Sequence, residues 1–179
     1  MTADGLESLY FNSGAFGFPR RTTTYSIGWI GPDDPTIRPD ARAMIRAVAP
    51  PWEENLTALA LQIWREHLPG DVWVMPKSHW GFELDHGSAE WMPAALKDVE
   101  IDSSILASRT DGSAIEFTID EAVQFEKFLH TLLTRLMGSD FLIAFPDRGT
   151  ICTVHHHRQL WWTTTDEKIH AAIDAAVKS

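Results

Sequence analysis

The chain has 179 residues, 44% of them hydrophobic and 22% charged, with a formal net charge of -10 at pH 7. That length suits a single domain with a sizeable core, and no apolar run approaches the roughly 18 to 20 residues a membrane helix needs. Residues 1–50 carry five acids and five Lys or Arg, so the whole negative excess falls in residues 51–179, which argues against nucleic acid as a partner because counterion release needs a basic surface.

The opening MTADGLESLYF lacks a basic stretch followed by an apolar one, and the single Cys152 cannot form an intrachain disulfide, so a cytoplasmic location is expected. Residues 1–20 mix Gly, Asn, Ser and aromatics without a sustained period and read as a loosely structured arm before one domain over 21–179, with a subdomain split near residue 105 as the alternative. RTTTYSIGWI, residues 21–30, has the Thr, Tyr and Ile content of a strand, and a proline-rich connector closes it. A short helix is expected over about 40–48 with Asp40 as its cap.

PPWEENLTALALQIWREHLPG is the best helix of the first half. Pro51 suits its first turn, Glu53 and Glu54 complement its dipole, and Leu56, Leu59, Ala60, Ile63, Trp64 and His67 share one face. DVWVMP and HWGFELD then read as two short strands around Pro76-Lys77-Ser78. SAEWMPAALKD reads as a helix that Pro93 confines to the residues after Met92. SSILASR and SAIEF are expected to pair across Thr110-Asp111-Gly112, since Asp-Gly favours a tight turn.

Thr118 and Glu121 form a capping box that opens DEAVQFEKFLHTLLTRLMG, whose Phe125, Phe128, Leu129, Leu132, Leu133 and Leu136 make an apolar stripe. FLIAF is a continuous apolar run, as in a strand covered on both faces. Thr164 and Glu167 make a second capping box before a final helix, DEKIHAAIDAAVK. These elements predict an α+β or α/β domain, a mixed or mainly antiparallel sheet with helices packed on it.

Chemistry concentrates in TICTVHHHRQLWWTTT, residues 150–165. On one continuous strand, His155 and His157 would project from the same face, as two metal ligands must. HWGFELDHG supplies the other expected ligands, because His79, Glu83 and Asp85 have one parity in a strand. No HExxH or paired CxxC spacing supports the set, and solvated polar strand faces compete with it. A turn at His156-His157-Arg158 is the alternative, which makes the histidines loop-tip residues, able to bind a partner but a poor preorganised metal site.

Other catalytic patterns are weaker. Neither Ser78 beside His79 nor Ser103-Ser104 sits in a nucleophile elbow, and phosphate-binding glycine loops are absent. Cys152 among β-formers reads as a buried, inert thiol. Eight tryptophans are the remaining oddity. Trp64 and Trp73 read as core, while Trp80, Trp91, Trp161 and Trp162 are candidates for a displayed partner or ligand surface. Adjacent Trp161 and Trp162 can both be inside only if both faces of their strand are covered.

Three functions are compatible with this sequence. The leading expectation is a small protein-binding or regulatory module, immunity- or adaptor-like, that meets a basic partner through its acidic half and needs no cofactor. The alternative is a metal-assisted hydrolase holding a divalent ion such as zinc on His155, His157, His79, Glu83 and Asp85. The third is a small-ligand site in a Trp-lined pocket.

Overall fold

Seven strands form one mixed sheet in the computed structural model, which describes residues 23–31, 42–106 and 114–177. With five helices packed on the sheet among the described residues, the class is α+β as expected. The expected arm over 1–20, the cap Asp40 and the Asp111-Gly112 turn lie outside the described residues.

The strands are β1 (Tyr25–Ile30), β2 (Met44–Ala47), β3 (Val72–Pro76), β4 (Ile115–Phe117), β5 (Phe141–Phe145), β6 (Thr150–His155) and β7 (Gln159–Thr164). Across the sheet they run β2-β1-β7-β6-β5-β3-β4, with β1 and β2 parallel and every other neighbouring pair antiparallel. The helices are α1 (Trp52–His67), α2 (Trp80–Asp85), α3 (Met92–Asp98), α4 (Ala122–Arg135) and α5 (Glu167–Ala176).

Alternation along the strands divides the sheet into two faces. Ile27, Trp29, Val74, Phe141, Ile143, Phe145, Cys152, Val154, Leu160 and Trp162 point to the side where the helices pack, and all are buried. Trp162 sits between Trp29 and Phe145, at ring-centroid distances of 5.2 and 6.0 Å. Helix α4 delivers its expected stripe of Phe125, Phe128, Leu129, Leu132 and Leu133 to the same core. Phe125 there meets the edge of Trp64 from α1, at 4.8 Å between centroids. Burying side chains of this size contributes about 1.5 to 3 kcal/mol each, which makes this layer the main source of stability.

The opposite face is apolar as well: Ile30, Met75, Leu142, Ala144 and Trp161 are buried there. Trp161 approaches the β1 backbone at Gly28 so closely that a Cβ there would lie 2.5 Å from its ring. Glycine at 28 therefore admits the indole. Trp161 is 4% exposed and Trp162 1%, the outcome that requires both faces of β7 to be covered.

Several local expectations are corrected. Met44–Ala47 is an edge strand, because β1 offers it four parallel ladder partners that a short isolated helix would lack. HWGFELD is helical. Trp80, Phe82 and Leu84 alternate as in a strand, but the buried residues are Trp80 and Glu83, one helical turn apart, and the His79 side chain caps the helix by accepting from the Phe82 N–H at 3.0 Å. Ser103–Leu106 forms a 3-10 turn, and β4 pairs with β3. Asp166 caps α5 through the N–H groups of Lys168 and Ile169, while Thr164 ends β7. The expected capping box at Thr118 is present, with its N–H donating to Glu121 Oε2 at 2.8 Å.

Candidate metal centre

The histidine run occupies the tip of a hairpin. β6 ends at His155, β7 begins opposite it at Gln159, and His156, His157 and Arg158 make the turn. Three-residue hairpin loops place a left-handed residue at their last position, usually glycine. Arg158 fills it here with φ 59°. Holding a residue with a Cβ in that region costs about 1 kcal/mol. Its guanidinium reaches Glu53 Oε1 in the first turn of α1 at 2.9 Å, tying the turn to a helix.

The turn draws the three rings together. Their centroids lie 4.3 Å (His155 to His156), 4.9 Å (His155 to His157) and 4.4 Å (His156 to His157) apart. One nitrogen from each ring can be chosen so that all three lie within 4.8 Å of one another. His155 is 5% exposed, and Nδ1 of His157 is buried without a hydrogen-bond partner.

Asp140, at the entrance to β5, organises this tip. Its Oδ1 accepts from Nδ1 of His156 at 2.9 Å and from the His156 backbone N–H at 3.3 Å, while Lys77 Nζ donates to Oδ2 at 3.0 Å. His155 Nε2 lies 3.9 Å from the same Oδ1. The backbone adds a further tie, as the Lys77 N–H donates to the Asp140 carbonyl at 2.9 Å. Asp140 thereby joins the ends of β3, β5 and the β6–β7 turn.

Charge states follow from these contacts. Burial works to raise the Asp140 carboxyl, but the hydrogen bond from His156, the nearby His155 ring and the Lys77 ammonium outweigh it and hold the group below its ordinary value. Burial pushes His155 down against the pull of Asp140, with His156, His157 and Lys77 adding to the depression. His155 is therefore neutral at pH 7. Its Nδ1 accepts from the His157 backbone N–H at 3.2 Å, which puts the ring proton on Nε2, towards Asp140.

The donor set suits a borderline transition metal such as zinc, for which imidazole nitrogen is a standard ligand. Zinc at 2.0 to 2.1 Å from each nitrogen separates tetrahedral ligands by about 3.3 Å, so the rings must close by about 1.5 Å at most from their present spacing. Small rotations about χ1 and χ2 of the three side chains would have to supply that movement.

The remaining sequence candidates lie elsewhere. Among the described residues, the group with converging ligand atoms is His155, His156 and His157, and it does not include His79, Glu83 or Asp85. The strand parity that aligned those three does not exist in α2. His79 is a helix cap, Asp85 is exposed, and Glu83 is buried with one oxygen accepting from the Ser88 hydroxyl. Trp80, Trp161 and Trp162 are not displayed: all three are buried, and Trp161 Nε1 donates to Gln159 Oε1 at 2.9 Å. Trp91 is half-buried against the core.

Sequence reasoning missed His156, Asp140 and Lys77. On a continuous strand His156 points away from its neighbours, and only a turn reverses that. Asp140 gave one signal, an acid directly before an apolar strand, which places it at a sheet end. Cys152 is on the helix-covered face, where burial pushes its thiol well up and leaves no thiolate for a metal. No protein-family model matches the chain, no curated protein matches it in sequence, and no solved structure matches it.

Proposed function

We propose that the protein binds a divalent transition-metal ion, zinc above all, through His155, His156 and His157. The carrying observation is the convergence of three imidazole nitrogens within 4.8 Å, one of the rings having a buried nitrogen without a hydrogen-bond partner. A metal on three neutral imidazoles keeps a position for water, the arrangement that metal-assisted hydrolysis uses. Elemental analysis of untagged protein purified without added metal tests the reading. About one equivalent of metal is expected in the wild type and none in the folded His155→Ala/His157→Ala variant. A metal-free wild type that also takes up no added zinc would remove the proposal.

A second reading, binding of a basic partner, draws on a different region. An open groove of about 590 Å³ is lined by Glu54, Thr57, Asp98, Glu126, Lys127, His130 and Thr131 from α1, α3 and α4. Its acidic lining favours a cationic surface and a salt-sensitive complex. Reversing Glu54 and Glu126 to lysine should abolish such a complex. A complex that survives the double reversal and is indifferent to salt would eliminate this reading.

A further inference from the structure

We propose that Asp140 is a positioning residue that locks the His156 ring with its proton on Nδ1, so that Nε2 is the atom His156 offers to a metal. The inference rests on the metal reading for its consequence and on the Asp140 contacts for its cause. An ionised carboxylate only accepts, so the 2.9 Å contact requires Nδ1 of His156 to be the donor. A neutral imidazole carries one proton, and Nε2 is then left with a free lone pair.

Asp140 is itself held in place. Oδ1 is shared between the ring and backbone N–H groups of His156, and Oδ2 is engaged by Lys77. A carboxylate with both oxygens occupied by donors is a poor candidate for direct ligation and a good one for fixing its neighbour. Metal-ligating histidines are commonly oriented in this way by a carboxylate on the second nitrogen. The backbone contact makes the hold bidentate: ring and main chain of His156 meet the same oxygen, so the ring cannot flip without giving up its partner. The neighbouring ring differs in this respect. His155 accepts at Nδ1 from the His157 N–H and keeps its proton on Nε2, so as a neutral ring it must give up that hydrogen bond before either nitrogen can take a metal, whereas Nε2 of His156 has its lone pair free from the start.

The test is a long-range proton–nitrogen correlation spectrum of the imidazoles in isotope-labelled, metal-free wild type and Asp140→Ala, with zinc titrations of both. The wild type should show His156 as the Nδ1–H tautomer. In Asp140→Ala the ring should become a mixture of tautomers, and zinc affinity should fall about 10- to 100-fold, the usual effect of losing an outer carboxylate. An Nε2–H tautomer in the wild type overturns the proposal, as does a folded Asp140→Ala that retains both the wild-type tautomer and the wild-type affinity. If the variant does not fold, the wild-type tautomer alone decides. Nδ1–H on His156 in a wild type that binds no zinc would dispose of the metal reading while upholding the hold of Asp140 on the ring.

Discussion

The two ends of the β6–β7 hairpin are built on opposite principles. Its body places Cys152, Val154, Leu160 and Trp162 against the helices, all at most 1% exposed. Its tip gathers three imidazoles and a guanidinium over His155–Arg158 and meets a carboxylate and an ammonium brought from the ends of β5 and β3. The body is what hydrophobic burial selects. The tip is not: buried polar groups contribute little net stability, and a left-handed Arg158 costs some. The metal proposed above would account for gathering imidazoles at such a place.

Substitutions should separate the two ends. The largest effect is expected for Trp162→Ala, about 3 to 5 kcal/mol of destabilisation by denaturant unfolding, because it empties the space between Trp29 and Phe145. A loss below about 1 kcal/mol would mean that this part of the core is not tightly packed. Next, zinc at about 100 times its dissociation constant should stabilise the wild type by about 2.7 kcal/mol and leave His155→Ala/His157→Ala unchanged. Gly28→Val should cost about 1 to 3 kcal/mol by overpacking against Trp161, with a change in tryptophan fluorescence and undiminished zinc binding. Impaired zinc binding in that variant would show that body and tip are not separable.

A smaller effect concerns pH in the metal-free protein. His155 is held below its ordinary value of about 6.5 by burial, so on acidification the unfolded chain takes up this proton first. The stability His155 contributes as a neutral ring is present above that value and is lost as the pH falls through it towards the lower folded value. Asp140 acts with the same sign at lower pH, since its depressed carboxyl favours the folded state above the ordinary carboxylate range. Denaturation midpoints between pH 7 and 5 should therefore fall less in His155→Gln than in the wild type; equal slopes would contradict a buried neutral ring. The smallest effect is expected for Arg158→Lys, within about 1 kcal/mol, because its partner contact lies at the surface.

Elements with strong local signals were legible in the sequence. The apolar stripe of α4, the capping box at Thr118 and the continuous run FLIAF each carry their own periodicity or cap, and each forms as expected, while α1 buries Leu56, Ala60, Ile63 and Trp64 of its expected face but leaves Leu59 half-buried and His67 exposed. HWGFELD was not legible because seven residues with apolar Trp80, Phe82 and Leu84 in alternation fit both periods, and the choice was made by the His79 cap and the burial of Trp80 and Glu83. Met44–Ala47 depended on its distant partner β1, which no local pattern reveals. The site was half legible for a related reason. The three histidines were visible as a cluster, but bringing all of them together required a turn at His156, and recruiting Asp140 and Lys77 required the strand order β6-β5-β3. Register across three strands places those groups.

X-ray absorption at the zinc edge of the loaded wild-type protein tests the central claim most directly. Three histidines on the metal should give a shell of nitrogen or oxygen scatterers at about 2.0 to 2.1 Å with the outer-shell pattern of imidazole, and no sulfur at about 2.3 Å. A sulfur scatterer, or a shell of oxygens without imidazole features, would contradict it and place any bound metal away from the hairpin tip.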